Sequence, residues 1–206
     1  MLTLYHAPRS RSTRIVALIE DLGAQDKVTI DPVSVPRQDG SGSRDARNPH
    51  PEGKVPLLVH GDAVIWESTA IALYLTELFP DAGLGRPIGA PDRGVLLSWL
   101  AWYGDVLEPV IVMEFAEIRH PVVQSTFRGM AEVTDRLSHA LKDRPYLLGD
   151  DYSVADAICS SAFQFAAGFT PDVPHIQDWV ARCGDRPALK NAIAFDTRLI
   201  ETAGAH

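Results

Sequence analysis

The sequence has few of the residues that mark a disulfide scaffold or a metal centre. Among 206 residues there are two cysteines, Cys159 and Cys183, both set in helical patterns. Two cysteines make no disulfide framework, so a reducing, cytoplasmic setting is the default expectation. The seven histidines form no His-x-x-x-His pair and Cys-x-x-Cys does not occur, so no metal is expected. No apolar run approaches the length of a membrane span, and a strand-like pattern begins at once without a signal peptide. An excess of positive charge is also missing. A net charge of −8 and a pI near 5.3 argue against nucleic acid or an anionic membrane as partner. They say nothing against a small anion, whose binding local fields decide. No internal repeat or long low-complexity segment is present.

With 46% hydrophobic residues, the chain is large enough for one sizeable domain or two small ones. Its most informative stretch runs from Gly53 to Leu75. Two β-branched, apolar runs, Val55 to Val59 and Ala63 to Trp66, flank Gly61-Asp62 and read as a hairpin. Ser68-Thr69-Ala70-Ile71 then opens a helix, with Ser68 near its cap. Pro56 is unusual there, since proline removes a ladder donor and is confined to strand starts, edges or bulges.

The flanking segments give a consistent order. Met1 to Tyr5 alternates as a strand, and Ser12 to Leu22 carries a helical stripe closed by Gly23. Lys27 to Val35 reads as a second strand. Pro36 to Pro51 reads as a polar loop with at most one helical turn. The hairpin and its helix end at Phe79-Pro80. The order suits a thioredoxin-like half over residues 1–80 with a mixed four-stranded sheet. A Gly/Pro-rich linker over 81–91 marks the boundary. From 92 to 206 only helical periodicity remains, so an all-helical domain is expected. Its first stripe runs from Leu96 to Leu107 and bends near Pro109, and its second runs from Val122 to Leu141. Two last helices carry Ile176 to Cys183 and Leu189 to Leu199, and a frayed tail covers 202–206. Ser153-Val154-Ala155-Asp156 reads as a capping box before a buried helix, a matter of foldability rather than chemistry.

Val55-Pro56-Leu57-Leu58, the hairpin, and Glu67-Ser68 at a helix start resemble the glutathione-binding half of cytosolic glutathione transferases, bacterial-type and with a serine-type active site. The capping box and the element order extend the resemblance over essentially the whole chain. It implies a glutathione transferase that adds the thiolate of glutathione to electrophilic hydrophobic small molecules. A peroxidase or isomerase side activity, a non-catalytic binder of glutathione or apolar ligands, and an interaction scaffold of the same fold are the alternatives. A homodimer is also implied. Pro56 would be cis, against a general frequency of about 5% for such bonds. Val55 would pair with the cysteinyl backbone, and Lys54 either contacts glutathione or is simply solvated. Glu67 and Ser68 would hold the γ-glutamyl end at the helix mouth. Taken alone, Glu67 could be a surface acid favourable to the helix dipole, and Ser68 a plain cap.

The reactive thiol belongs to glutathione, with a free pKa of about 8.5, and its thiolate is the nucleophile. By the resemblance Ser10 occupies the place of the activating serine, with Ser12 and Thr13 as rivals. Arg9, Arg11 and Arg14 surround the same turn. Ser10 could also merely cap the first helix. No cysteine lies in this turn, which argues against thiol-disulfide chemistry. His50 falls in Asn48-Pro49-His50-Pro51-Glu52-Gly53, longer than the family's usual loop, and is assigned no role. Aromatics such as Trp99, Trp102 and Tyr103 could line a co-substrate pocket or be core.

Overall fold

The computed structural model describes residues 1–204. The chain divides into two compact units, one of Met1–Ala82 together with the segment from Arg186 on, the other of Gly83–Asp185.

In the first unit, β1 (Leu2–His6) leads to α1 (Thr13–Asp21), then β2 (Thr29–Pro32), the hairpin β3 (Leu57–His60) and β4 (Ala63–Trp66), and α2 (Ser68–Leu78). The sheet order is β2-β1-β3-β4, with β1 and β2 parallel and the other pairs antiparallel. This is the mixed four-stranded, thioredoxin-like arrangement expected from the sequence. β2 is shorter than the Lys27 to Val35 run because its partner β1 ends at His6, whose carbonyl takes the last bond, from the Val33 amide at 2.8 Å. The hairpin turns at Gly61, whose φ of 60° suits the residue without a Cβ. Leu4, Ile15, Leu18, Leu57, Ile71 and Leu75 are fully buried and form the core.

The second unit is helical: α3 (Arg93–Trp102), α4 (Glu108–Phe115), α5 (Pro121–Thr126), α6 (Met130–Leu141), α7 (Val154–Phe165) and α8 (Pro174–Gly184). The bend expected near Pro109 takes the form of a π-helical stretch, Tyr103–Leu107, between α3 and α4. Proline has no amide to offer and its ring crowds the carbonyl four residues back, so the hydrogen-bond ladder widens ahead of it. Together these elements make one helical stretch, Arg93–Phe115, long and apolar enough to cross a membrane by length and composition, contrary to the expectation that no run is. Its inward residues Leu96, Leu100, Tyr103 and Leu107 are buried in the unit's own core. The expected single helix from Val122 to Leu141 is broken into α5 and α6. Phe127 is extended and Gly129 takes a φ of 82°, which no helix accommodates.

The capping box forms around Asp156. The Ser153 amide and hydroxyl both donate to its Oδ2, at 3.0 and 2.7 Å. The Leu147 amide and the Trp179 indole donate to Oδ1, at 2.8 and 2.9 Å. Burial nevertheless leaves the Asp156 carboxyl above its usual range, the four donors offsetting only part of that effect.

The final helix, α9 (Pro187–Gly204), corrects the expected division. It is helical, but it packs on α1 of the first unit instead of belonging to the helical domain 92–206. Arg186 donates to both oxygens of Asp21, at 2.7 and 3.3 Å, where the segment returns. Residues 202–204 of the expected frayed tail are helical, while Ala205 and His206 lie outside the described residues.

Candidate functional site

Strand register decides which segments meet. Tyr5 pairs with Leu57 and Leu57 with Trp66. The loop after β1, the residues before β3 and the residues after β4 therefore share one end of the sheet. That end carries Ala7 to Ser12, Lys54 to Pro56, and Glu67-Ser68 at the start of α2. The charges of Glu67 and Arg11 both reach Lys54, in keeping with this convergence.

Val55-Pro56 is cis, as the resemblance implies. The segment ahead of it is tied down by the Asn48 side-chain amide, which donates to the Lys54 carbonyl at 3.0 Å. Lys54 itself is exposed and pairs with Glu52, which raises its pKa. His50 is buried. Its amide donates to Asn48 Oδ1 at 3.1 Å and its Nδ1 accepts from the Glu52 amide at 3.0 Å. It shapes the turn leading into this segment.

Glu67 is exposed and takes φ 67° and ψ 128° as the residue preceding α2. A non-glycine residue in that region carries strain of about 1–3 kcal/mol, and such strain collects at ligand sites. The Ser68 that follows is buried in the first turn of α2. Nothing about a glutamate signals a left-handed backbone, so this strain carries no mark in the sequence.

The loop between β1 and α1 is held by a group that the sequence reading overlooked. Asp196 of α9 is buried. Its Oδ2 accepts from the Arg9 amide and the Thr13 hydroxyl, both at 2.6 Å. The amide belongs to a residue at φ 53°, so the carboxylate holds an L-residue in a left-handed turn that costs about 1–2 kcal/mol. Asp196 Oδ1 lies 2.9 Å from His6 Nε2. The approach is too bent for a good hydrogen bond, and neither atom has another hydrogen-bond partner. Burial alone would push the Asp196 carboxyl up, but the contacts from His6, Thr13 and the Arg9 amide outweigh it and hold it below the usual range.

From His6 the contacts continue toward the loop surface. His6 Nδ1 is 2.7 Å from Ser12 Oγ, and Ser12 Oγ is 2.7 Å from Ser10 Oγ. His6 and Ser12 are fully buried, and Ser10 is half-buried. The Ser10 hydroxyl also lies 2.7 Å from the Ala7 carbonyl and accepts from the Ser12 amide at 3.1 Å. Its contacts are thus partly those of the helix-capping reading. Of its rivals, Ser12 is sealed from solvent and Thr13 is committed to Asp196. Of the arginines in the turn, Arg9 and Arg11 are exposed, while Arg14 is buried and donates to the Arg11 carbonyl at 3.0 Å.

A signal for the missed pair existed. Ala188, Ala192 and Asp196 recur every four residues along α9 and all three are buried. A carboxylate on an apolar stripe needs partners. His6 sits at the third inward position of β1, after Leu2 and Leu4. Among the described residues no group of three or more His, Cys, Asp or Glu is placed to hold a metal ion.

The family model for the glutathione S-transferase N-terminal domain matches residues 1–77, and that for the C-terminal domain matches residues 100–187. The chain belongs to the glutathione transferase family. Glutathione S-transferase F6 of Arabidopsis thaliana is 29% identical, over 90% of this chain and 96% of its own. A glutathione transferase of Methylococcus capsulatus superposes with a TM-score of 0.78 at 28% identity, covering 96% of this chain and 99% of that one. The theta-class glutathione S-transferase of Xanthomonas axonopodis pv. citri, solved with glutathione bound, gives a TM-score of 0.70 at 25% identity, covering 93% and 96%. The chain spans only 57% of the length of a 28% identical dichloromethane dehalogenase of Methylorubrum extorquens. It spans 65% of a 27% identical GST-like protein of Streptococcus mutans.

Proposed function

We propose that this chain is a glutathione transferase of the serine type, adding the thiolate of glutathione to electrophilic, hydrophobic small molecules. The observation that carries the reading is the convergence at one end of the sheet of the Ser10 loop, the cis Val55-Pro56 segment and the Glu67-Ser68 helix mouth. In it the Val55 backbone pairs with the cysteinyl portion of glutathione. The γ-glutamyl carboxylate sits on the first amides of α2 and the Ser68 hydroxyl, its ammonium against Glu67. Lys54 adds positive charge at the rim. Ser10 donates its hydroxyl to the sulfur, and the start of α1 adds the field of its dipole. Lowering the thiol pKa by about 2 units corresponds to about 2.7 kcal/mol in favour of the thiolate.

A second reading, a binder without turnover, draws on the inward contacts of Ser10 with Ala7 and Ser12. Thiolate absorbance of bound glutathione against pH separates the two. The transferase reading expects a depressed thiol pKa that returns toward the free value in Ser10→Ala, with loss of conjugating activity. An unshifted thiol in the unaltered protein refutes it. An unchanged Ser10→Ala variant refutes the serine assignment alone.

The chain is further proposed to act as a cytoplasmic homodimer. Exposed apolar side chains on the first unit, Val64 and Trp66 of the edge strand β4 and Leu78 of α2, support the pairing. Sedimentation of the unaltered protein and of a Trp66→Glu variant tests it: a monomer in the first case removes the proposal.

A further inference from the structure

We propose that His6, backed by Asp196 and connected through Ser12, receives the proton that leaves the glutathione thiol at Ser10. The inference rests on Ser10 being the hydroxyl that meets the sulfur, and it assigns the thiol's proton a buried destination.

The argument is one of donors and acceptors. Asp196 is held as a carboxylate and can only accept. With Oδ1 at 2.9 Å, a bare Nε2 would set lone pair against lone pair, so Nε2 carries a proton. In the neutral ring Nδ1 is then an acceptor. The atom 2.7 Å away is Ser12 Oγ, which gives its one proton to the ring. Ser12 Oγ already accepts from the Ala7 amide at 3.1 Å, and its remaining lone pair takes a share of the Ser10 hydroxyl proton at 2.7 Å, the Ala7 carbonyl, also 2.7 Å away, taking the other share. Ser10 thus points its proton inward, and with one lone pair taken by the Ser12 amide it keeps the other for an incoming donor. That is the wrong polarity for stabilising a thiolate, but the right one for accepting from a thiol.

Deprotonation reverses the chain. The S–H bond breaks and the proton joins Ser10 Oγ, the proton of Ser10 passes to Ser12, and that of Ser12 passes to His6 Nδ1. No electrons change hands. Thiol and neutral imidazole become thiolate and imidazolium, and Ser10 now donates to the sulfur. The new cation faces Asp196 Oδ1, which has no hydrogen-bond partner of its own among the described residues. The bent contact that is a poor hydrogen bond in the neutral state becomes an ion pair, which tolerates misalignment. Phe195 lies tilted beside the ring at 5.9 Å between centres, and Thr13 and Arg9 reach Asp196 through a hydroxyl and an amide. Full burial of His6 and Ser12 keeps water from competing for the proton.

Proton counting tests this. Glutathione binding is followed by calorimetry at pH 7 in buffers of different ionisation enthalpy, with thiolate absorbance read on the same samples. The unaltered protein is expected to show thiolate with far less than one proton released per thiolate formed. Ser12→Ala cuts the path while leaving His6 beside Asp196. It is expected to release about one proton per thiolate, or to lose thiolate about tenfold at pH 7. A full proton released by the unaltered protein overturns the relay and leaves Ser10 standing; that measurement needs no variant to fold. Ser12→Ala behaving as the unaltered protein overturns it too. Binding without thiolate absorbance overturns the Ser10 reading and the relay with it.

Discussion

Replacing Asp156 is the sharpest test of how the helical unit is held. Its carboxylate accepts from the amides of Leu147 and Ser153, the Ser153 hydroxyl and the Trp179 indole. In Asp156→Ala the hydroxyl can rotate to a new partner, but two amides and the indole lose their acceptor. Each buried donor left unmet costs about 1–3 kcal/mol. Against this, the substitution relieves the burial of a charge that the fold disfavours, as the raised Asp156 carboxyl records. The net expectation is a loss of about 4 kcal/mol, in the range for breaking a buried charged network.

Asp156→Asn separates hydrogen bonding from charge. Its carbonyl can keep Leu147 and Trp179, while its amide group faces the Ser153 amide donor to donor, so the expected loss is about 1–2 kcal/mol. The assay is urea unfolding followed by tryptophan fluorescence. Trp179 is itself a partner and lies edge-on to Phe163 at 6.4 Å. A shift in midpoint at constant slope reports the stability change. An Asp156→Ala variant within about 1 kcal/mol of the unaltered protein refutes the accounting, and so does Asp156→Asn being the worse of the two.

At Glu67, Glu67→Gly relieves a backbone at φ 67° and is expected to gain stability of up to about 1 kcal/mol. It should still weaken glutathione binding at least about tenfold. Glu67→Ala loses the binding without the gain, and calorimetry beside thermal melts distinguishes them. For Asp196 the folded carboxyl is held below its unfolded value. Its contribution is therefore complete above a pH of about 4 and lost as pH falls through the folded value, and Asp196→Asn should flatten that acid limb of the stability profile. Asp156, raised in the fold, has the opposite sign: it favours the folded state as pH falls toward about 4, so Asp156→Asn should remove a gain in stability on the stretch above that pH. At Gly53, with φ 69° and an added Cβ 3.0 Å from the Arg44 side chain, Gly53→Ala should cost about 1–2 kcal/mol and loosen glutathione binding through the Val55 segment.

The sheet, the hairpin, α1, α2 and the capping box were legible because each is dictated locally. Alternation, a helical stripe, a turn glycine or a cap pair lies within a few residues. The break between α5 and α6 was hidden for the same reason. The stripe through Phe127 and Met130 keeps helical spacing across Gly129, and only the φ of 82° at that glycine ends it. The attachment of α9 to α1 is a tertiary choice that no window on the sequence expresses.

The site divides along the same line. Ser10, Val55-Pro56 and Glu67-Ser68 stand out as candidates because they lie in short motifs. His6 and Asp196 stand 190 positions apart in the numbering, and each looks like background in its own segment. What betrays them is a conflict rather than a motif. Periodicity assigns Asp196 to the stripe of Ala188 and Ala192, and His6 to the inward row of Leu2 and Leu4. An ionisable group on a buried row is costly unless something meets it, so a buried acid and a buried base in one chain are candidates for each other. Arg14 shows the limit of the rule. It too lies on a buried face, yet its guanidinium reaches the Arg11 carbonyl of its own turn. A backbone acceptor so near weakens the pointer to a distant partner. At His6 and Asp196 the pointer is stronger, since His6 Nε2 and Asp196 Oδ1 face each other with no other hydrogen-bond partner, while the second Asp196 oxygen reaches Arg9 and Thr13.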